Sequence, residues 1–317
     1  MRPSPERFGI GDLVCRPIVG LVVDNMDWHA RQVAAALAAR GFGTAPIRLH
    51  LCGFATHDAS GLRIDGFAER LPDAVVVRSM SGGTFEAVTL RLGILHALRE
   101  CGVMVWNDAR AIERCVDKSM TSFLLARAGI ATPATWAVGS YDQARAIAQK
   151  EIKDGALVLK PLFGSQGRGL RLIRTIDDLP PPGDVAGGVY YLQRFVAVER
   201  DGFHDFRLLA VRGRIVAAMQ RHSNHWITNV KRGGRPVAAL VSDEVKALAI
   251  NAANAVGADF AGVDILYGAD HQATVLEVNS MPAWSGLQKV TSLNIADVIV
   301  GALTDALAAH PLRGAMA

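Results

Sequence analysis

Gly262-Val263-Asp264-Ile265-Leu266-Tyr267 and Thr274-Val275-Leu276-Glu277-Val278-Asn279 are two short apolar runs, and each carries polar groups that an ordinary core strand would not keep. A strand puts residues i and i+2 on one face. Glu277, Asn279 and Val275 are therefore expected on one side, with Leu276 and Val278 on the other. Gly268-Ala269-Asp270-His271-Gln272 between the runs reads as a hairpin turn, which brings Asp264 beside Glu277. Two carboxylates in a mostly apolar sheet repel and lose hydration unless a cation lies between them. Asp264, Glu277 and Asn279 offer only oxygen donors, the set that a hard ion such as Mg2+ prefers. The alternative is a polar strand facing solvent.

Upstream, Ala156-Leu157-Val158-Leu159-Lys160 reads as a strand leading into Pro161-Leu162-Phe163-Gly164-Ser165-Gln166-Gly167-Arg168-Gly169, and Leu170 to Ile173 as its return. The backbone N–H groups of such a glycine-rich tip can cradle phosphate oxygens, with Lys160 as a point charge. No Gly-Lys-Ser/Thr ends the loop and no helix follows it, so it is neither a Walker A loop nor a dinucleotide fingerprint. An unliganded glycine hairpin is the bland alternative. Farther on, Asp205 and Arg207 share a strand face, where they can serve a ribose and a phosphate or pair with each other. The loop from Trp226 to Arg235, with Asn229, Lys231, Arg232 and Arg235, looks built for an anion.

Residues 18–107 alternate strands (Ile18 to Val23, Ala74 to Arg78, Val103 to Trp106) with helices (Trp28 to Arg40, Phe85 to Glu100), the pattern of an open α/β layer. Ligands gather beyond the carboxyl ends of such strands. Arg78 and the loop Ser79-Met80-Ser81-Gly82-Gly83 lie there, so Arg78, Ser81 and Gly82 are substrate candidates, together with Lys231; a solvated arginine on a flexible turn is the competing reading. Asp117 is placed to cap a helix from Lys118 to Ala128. Asp177 to Gly188 reads as a loop, Tyr190 to Val196 as a strand, Phe206 to Val211 and Arg214 to Met219 as a hairpin, and Ser242 to Val256 and 295–309 as helices.

The chain as a whole has 317 residues and 50% hydrophobic content, enough for two or three subdomains with sizeable cores. Its 34 Lys and Arg against 30 Asp and Glu give a net charge of +4 without the basic run of a nucleic-acid arm. Cys15, Cys52, Cys101 and Cys115 have no metal-ligand spacing and suit reduced thiols. Pro17 to Val23 is too short for a membrane span and no signal peptide is evident. The expectation is a soluble, cytoplasmic protein with no nucleic-acid or membrane partner.

In order along the chain, Asp117-Lys118, Leu159-Lys160-Pro161, Gly164 to Gly169, Asp205-Phe206-Arg207, Asn229 to Gly234, Val263-Asp264-Ile265-Leu266 and Glu277-Val278-Asn279 resemble the ATP-grasp superfamily. More narrowly, they resemble its branch of α-L-glutamate ligases typified by the ribosomal-protein ligase RimK. The similarity covers roughly residues 70–300, and Glu277 to Asp297 is its most specific part. It implies an ATP-grasp fold: an N-terminal open α/β domain over residues 1–107, a small lobe over 108–189 with the glycine-rich hairpin, and a C-terminal lobe over 190–317 with the metal site.

The resemblance further implies that ATP phosphorylates a carboxylate, whose acyl phosphate an amino-acid amine attacks to form an amide. Lys118 and Lys160 would contact the nucleotide with Gly164, Ser165, Gln166, Gly167 and Gly169. Gln193, Arg194, Phe195 and Val196 would meet the adenine edge through their backbone, and Asp205 would contact the nucleotide. Arg207, Asn229 and Arg232 would serve the phosphates and the reacting centre. Asp264, Glu277 and Asn279 would hold two Mg2+, with Mn2+ as a substitute. The implied substrates are L-glutamate and a carboxylate acceptor, either a tetrahydromethanopterin-like cofactor or a protein tail. A different amino acid, a different acceptor, or a non-ligating nucleotide or acidic-peptide binding module are the alternatives, and homo-oligomerisation is left open. The resemblance implies an acidic residue where this chain has Arg194, so no carboxylate contact to adenine or ribose is expected from this position.

Overall fold

The computed structural model describes residues 16–68, 70–164, 167–196, 202–269 and 271–309. In the N-terminal third, β1 (Ile18–Val22), α1 (Trp28–Ala39), β2 (Gly43–Ile47), the short pair β3 (Gly53–Phe54) and β4 (Leu62–Arg63), β5 (Ala74–Val77), α2 (Phe85–Glu100) and β6 (Met104–Trp106) follow one another. Strands β2-β1-β5-β6 form a parallel sheet in that order. It is apolar on both faces, as a sheet covered by helices must be. Val19, Leu21 and Val76 pack against α1, and Val22, Val75 and Val77 against α2.

Two helices then meet end to end, α3 (Ala109–Val116) and α4 (Lys118–Arg127). Asp117 separates them and caps the second, its carboxylate accepting from the N–H of Ser119 at 2.8 Å and of Met120 at 3.2 Å. Next come β7 (Thr135–Val138), α5 (Tyr141–Glu151), β8 (Leu157–Lys160), β9 (Arg171–Ile173) and β10 (Tyr190–Arg194), joined in a second sheet of order β7-β10-β8-β9. Strand β10 was expected with the C-terminal lobe. It hydrogen-bonds instead to β7 and β8, and its Tyr190 and Leu192 fill the core of the second sheet.

The third sheet, β13-β12-β11-β14-β15, is antiparallel and combines β11 (Phe203–Val211), β12 (Arg214–Ser223), β13 (Arg235–Ala238), β14 (Phe260–Tyr267) and β15 (Ala273–Asn279). Helix α6 (Asp243–Val256) covers one face through Val245, Ala249, Ala252 and Val256. The short α7 (Ser285–Gln288) and α8 (Ile295–Ala309) close the other side, where Trp284, Ile299 and Leu303 share a core with β1 and α1. The N-terminal sheet and the C-terminal lobe thus share one apolar core. Strands β2, β7 and β13 and helix α5 were not anticipated from the sequence. β11 and β12 also run farther at their paired ends than alternation suggested.

Pairing of β14 with β15 aligns Asp264 with Glu277, as expected, and Gly262 with Asn279, but the register slips between Asp264 and Ile265, so that Ile265 faces Val275. Leu276 is the extra residue of a β-bulge, and a bulge reverses the alternation beyond it. Val275 therefore joins Val278 in the core under α6, and Leu276 turns to the cleft with Glu277. The expected grouping of Val275 with Glu277, and of Leu276 with Val278, is corrected by that one residue.

Candidate active site

A cleft opens between the second and third sheets. Lys118, Lys160, Gly164 and Gly167 line it from one side, the segment Gln193, Arg194, Phe195 and Val196 closes its inner end, and Asp205, Asn229, Asp264 and Glu277 line the other side. Ser165 and Gln166 lie outside the described residues.

Lys160 ends β8 beneath the glycine-rich turn. Its Nζ donates to Gln193 Oε1 at 2.5 Å, while Gln193 Nε2 donates to Thr135 Oγ1 at 3.2 Å and Tyr191 OH at 3.3 Å. Gln193 is thus a side-chain clamp as well as part of the β10 ladder. Burial pushes the Lys160 ammonium down to about 8; Glu277 and Asp264 oppose that shift and Lys118 adds to it. Lys118 opens α4 and donates to Gly164 O at 2.7 Å and Leu162 O at 3.4 Å, tying the helix to the hairpin. Burial lowers its pKa also. A cluster of partly desolvated ammonium groups beside carboxylates is a site prepared for a multiply charged anion.

Gly167 has φ +68°, and a Cβ there would stand 2.7 Å from both Asn229 Oδ1 and Ile227 Cγ2. The hairpin therefore rests on the loop before Arg232, and only glycine allows that approach. Gly169 has φ +70° and abuts Pro161, which itself lines the cleft. On the opposite loop, Asn229 precedes a turn from Val230 to Arg232; Lys231 and Arg232 are exposed. Phe195 meets Trp226 edge-on at 6.0 Å. The guanidinium of Arg194 is held by Glu151, through both its carboxylate and its carbonyl, the latter at 2.6 Å from Nη1. Arg194 thus brings to this position a cation whose charge is neutralised by α5.

Asp205 and Arg207 do not pair with each other. Asp205 faces Arg221 across β12 and accepts from its Nε at 2.7 Å and from its Nη2. Arg207 faces Asp264 across β14 and meets it through Nε and, at 2.7 Å, Nη2. Arg221 Nη2 also lies 3.1 Å from Asp264 Oδ2. Arg207, expected on the phosphates, is thus engaged by a carboxylate. Arg221 was not anticipated at all; the signal was its position opposite Asp205, visible only once β12 is carried past Met219. Burial alone would raise the Asp264 pKa, but Arg207 and Arg221 together hold it below the usual carboxylate range. The same geometry raises the pKa of Arg221 against its own burial.

Whether these residues suit a divalent ion rests on their donors. Three guanidinium contacts leave Asp264 roughly one of its four lone-pair directions, on Oδ1. Glu277, beside it, takes part in no ion pair among the described residues. Asn279 donates Nδ2 to Gly262 O at 3.5 Å and so keeps its amide oxygen free of that contact. Three oxygen donors along one hairpin, of which Asp264 and Glu277 line the cleft, fit a hard cation.

The substrate candidates lie apart from this cleft. Arg78 is buried, Nη2 donating to Pro282 O at 2.9 Å and Cζ lying 4.3 Å over the Trp284 ring. Burial lowers its pKa to about 10. Ser81 donates its hydroxyl to Asp24, and the carbonyls of Ser81 and Gly82 each accept from Arg91 at 2.6 Å.

The model of the RimK-like ATP-grasp domain family matches residues 115–303. A tetrahydromethanopterin:alpha-L-glutamate ligase of Methanosarcina acetivorans is 31% identical over 90% of this chain and 98% of its own length. A probable alpha-L-glutamate ligase of Teredinibacter turnerae is 31% identical over 86% of this chain and 90% of its own. Among solved structures, the ATP-grasp ligase PsnB complexed with minimal precursor superposes with a TM-score of 0.68 at 23% identity, covering 93% of this chain and 99% of that one. The RimK domain protein ATP-grasp from Sphaerobacter thermophilus gives 0.66 at 19%, over 90% and 99%. No helix among the described residues is long and apolar enough to cross a membrane. The three-sheet architecture is the ATP-grasp fold, and the chain belongs to the RimK-like ATP-grasp family.

Proposed function

We propose that this protein is an ATP-dependent carboxylate–amine ligase that adds L-glutamate to a carboxylate of a tetrahydromethanopterin-like cofactor. The observation that carries the reading is the 31% identity to a tetrahydromethanopterin:alpha-L-glutamate ligase across 98% of that enzyme, joined to a cleft in which two lysines face a hairpin of oxygen donors. The nucleotide lies with its adenine edge along the backbone of Gln193 to Val196 and its phosphates between Lys118, Lys160 and the hairpin Gly164 to Gly169. Asp205, fixed by Arg221, faces the ribose.

When bound at Asp264, Glu277 and Asn279, Mg2+ supplies charge neutralisation to the phosphate oxygens; two ions, with Mn2+ as a substitute, are part of this reading. Phosphoryl transfer asks mainly for such neutralisation and for in-line positioning. An oxygen of the acceptor carboxylate takes the γ-phosphoryl group as ADP leaves. The amine of glutamate attacks the resulting acyl carbon, loses a proton, and phosphate departs as the amide forms. Asn229 and Arg232 serve the developing oxyanion. The Gly164 to Gly169 hairpin excludes water from an intermediate that would otherwise hydrolyse. We further infer a three-part division in which the N-terminal unit ends near residue 107 and the middle lobe runs from residue 108 through Arg194, so that β10 stays with its sheet.

The test is mass spectrometry of the purified protein with ATP, Mg2+, L-glutamate and a small-molecule extract of its source organism. A pterin species that gains whole glutamyl residues only when ATP is present is the expected result. ATP cleavage that answers to another amino acid or to a protein fraction, and not to glutamate with the extract, would replace the substrates. No cleavage with any of them would remove the ligase assignment.

A further inference from the structure

The order β2-β1-β5-β6 means that the chain leaves β1 on one side for β2 and crosses to the other side for β5. Such a reversal in an open parallel sheet leaves a crevice at the carboxyl ends of the two strands, the usual seat of a ligand. Here those ends are tied together. The N–H groups of Arg78 and Ser79 both donate to Val22 O, at 2.9 and 3.2 Å, and Asp24 N–H donates to Ser79 Oγ at 2.9 Å.

Arg78 is 7% exposed in this crevice, and its Nε–H and both Nη1 N–H groups have no acceptor. Trp284 covers one face of the guanidinium, but a ring face takes none of the in-plane donors. A buried cation with an unpaired edge is costly unless something completes it. The neighbouring acids are already engaged: Asp24 accepts from Ser81, and Asp27 accepts from Ala30 N–H and contacts His29 Nδ1. His29 accepts the N–H groups of Trp284 and Ser285 at Nε2, which holds it neutral. Asp27 stays near enough for its charge to act on Arg78, but no carboxylate oxygen bonds Nε or Nη1, so the crevice holds donors that nothing in it uses.

It also abuts the reaction centre. Pro282, whose carbonyl Arg78 grips, lies 3.0 Å from where a Cβ on Gly262 would be, and Arg207 Nη1 lies 3.2 Å from the same point. One proline thus separates Arg78 from the Arg207–Asp264 pair.

We infer that Arg78, stacked on Trp284, binds the non-reacting carboxylate of a substrate in the β1/β5 crevice, with the reacting end of that substrate directed to the Asp264–Glu277 hairpin. This rests on the ligase reading and adds to it the residue that recognises the substrate. Entry requires the loop from Ser79 to Gly83 to lift, and Gly82 and Gly83 are exposed. The carboxylate comes from the incoming amino acid or from the tail of the acceptor.

Equilibrium dialysis of the full chain with Mg2+ and a non-hydrolysable ATP analogue separates the two sources with two labelled probes. L-Glutamate stands for the amino acid; N-acetyl-L-glutamate, its amine blocked, can only mimic an acceptor tail. Wild-type protein binds at least one probe. Arg78→Met weakens that probe about tenfold or more, the loss expected of a charged hydrogen bond, and Arg78→Lys nearly as much, because an ammonium lacks the planar fork. The affinity for the ATP analogue stays unchanged in both, a pattern that a merely structural arginine would not give. The probe that suffers names the source. If Arg78→Met fails to fold by thermal melt, Arg78→Lys, which keeps the buried cation, decides alone. Equal probe affinity in wild type and folded variant, or no binding of either probe by wild-type protein that binds the analogue, overturns the inference. Failure of wild type to bind the analogue sinks the ligase reading, and this inference with it.

Discussion

At the scale of single residues, the site is a row of charges whose partners set their work. Glu277 is in no ion pair among the described residues and acts on Lys118 and Lys160 only through its field, so Glu277→Gln removes a charge without leaving a bonded partner unpaired. We expect ligation to fall by at least about 100-fold, in line with loss of one preorganised charge contact, while the circular-dichroism spectrum is kept; wild-type turnover would sink the metal assignment. Arg221→Met is different in kind. It strips both Asp205 and Asp264 of a buried counter-ion, a loss that costs about 3–5 kcal/mol when one partner of a buried pair is removed, read as a lowered urea midpoint. Lys160 gives a pH signature. With its pKa near 8 rather than 10.5, the free enzyme loses this charge as pH rises through about 8. Nucleotide affinity should then decline above that point, with uptake of up to one proton on binding, as calorimetry in two buffers would record. The stability sign is the reverse: the fold binds fewer protons than the unfolded chain between about 8 and 10.5, so this group adds stability as pH climbs through that window. The acidic hairpin and Lys160 were legible in sequence because charge in or at the end of an apolar run is conspicuous, whereas Lys118 was reached only through the family resemblance. Arg221 was not, because Gln220, Arg221 and His222 look like the end of a strand when they are the part of it that lines a polar site.

At the scale of elements, two local devices build the cleft. One is the bulge at Leu276, which sends Val275 into the core and lets Glu277 face Asp264. Alternation could not disclose it, since Val275 and Leu276 are equally apolar and either could lie inside. The other is the glycine-rich hairpin, legible from its glycines, whose seat on Ile227 and Asn229 was not. Gly167→Ala places a Cβ 2.7 Å from both neighbours at a φ of +68°, so the hairpin must move off the loop that carries Arg232. Because the contact is confined to two loops, we expect only a small fall in the thermal midpoint, the strain of a Cβ at that φ. Coupling should suffer: more phosphate released per amide formed, as the intermediate meets water. A ratio of phosphate to product equal to that of wild type would mean that the hairpin does not shield the reaction.

At the scale of the whole molecule, the question is how an N-terminal sheet that does not line the cleft is kept in register with the Asp264–Glu277 hairpin. Much of the answer is Asn107, fully buried just after β6. Its Nδ2 donates to Phe260 O at 2.7 Å and Ser280 O at 2.6 Å, and its Oδ1 accepts the N–H of Asp259 at 2.7 Å and of Phe260 at 3.0 Å. Both donors and both acceptor directions of one amide are thereby used, and the groups they satisfy are the backbone at the start of β14 and the residue following Asn279. Nothing in the sequence marked this residue, because an asparagine after a strand reads as a turn, and its partners lie more than 150 positions away. Asn107→Leu keeps much of the volume but leaves four buried backbone groups unpaired, each worth about 1–3 kcal/mol. We expect at least about 3 kcal/mol of lost stability in urea unfolding. Position matters as much as size: with the pin gone, the strands carrying Asp264 and Glu277 lose their fixed distance from Arg78, so the variant that still folds should bind nucleotide normally yet turn over poorly. If its turnover matched wild type at a temperature where both are folded, the N-terminal sheet would be a support for the fold and not part of the alignment of the reacting groups.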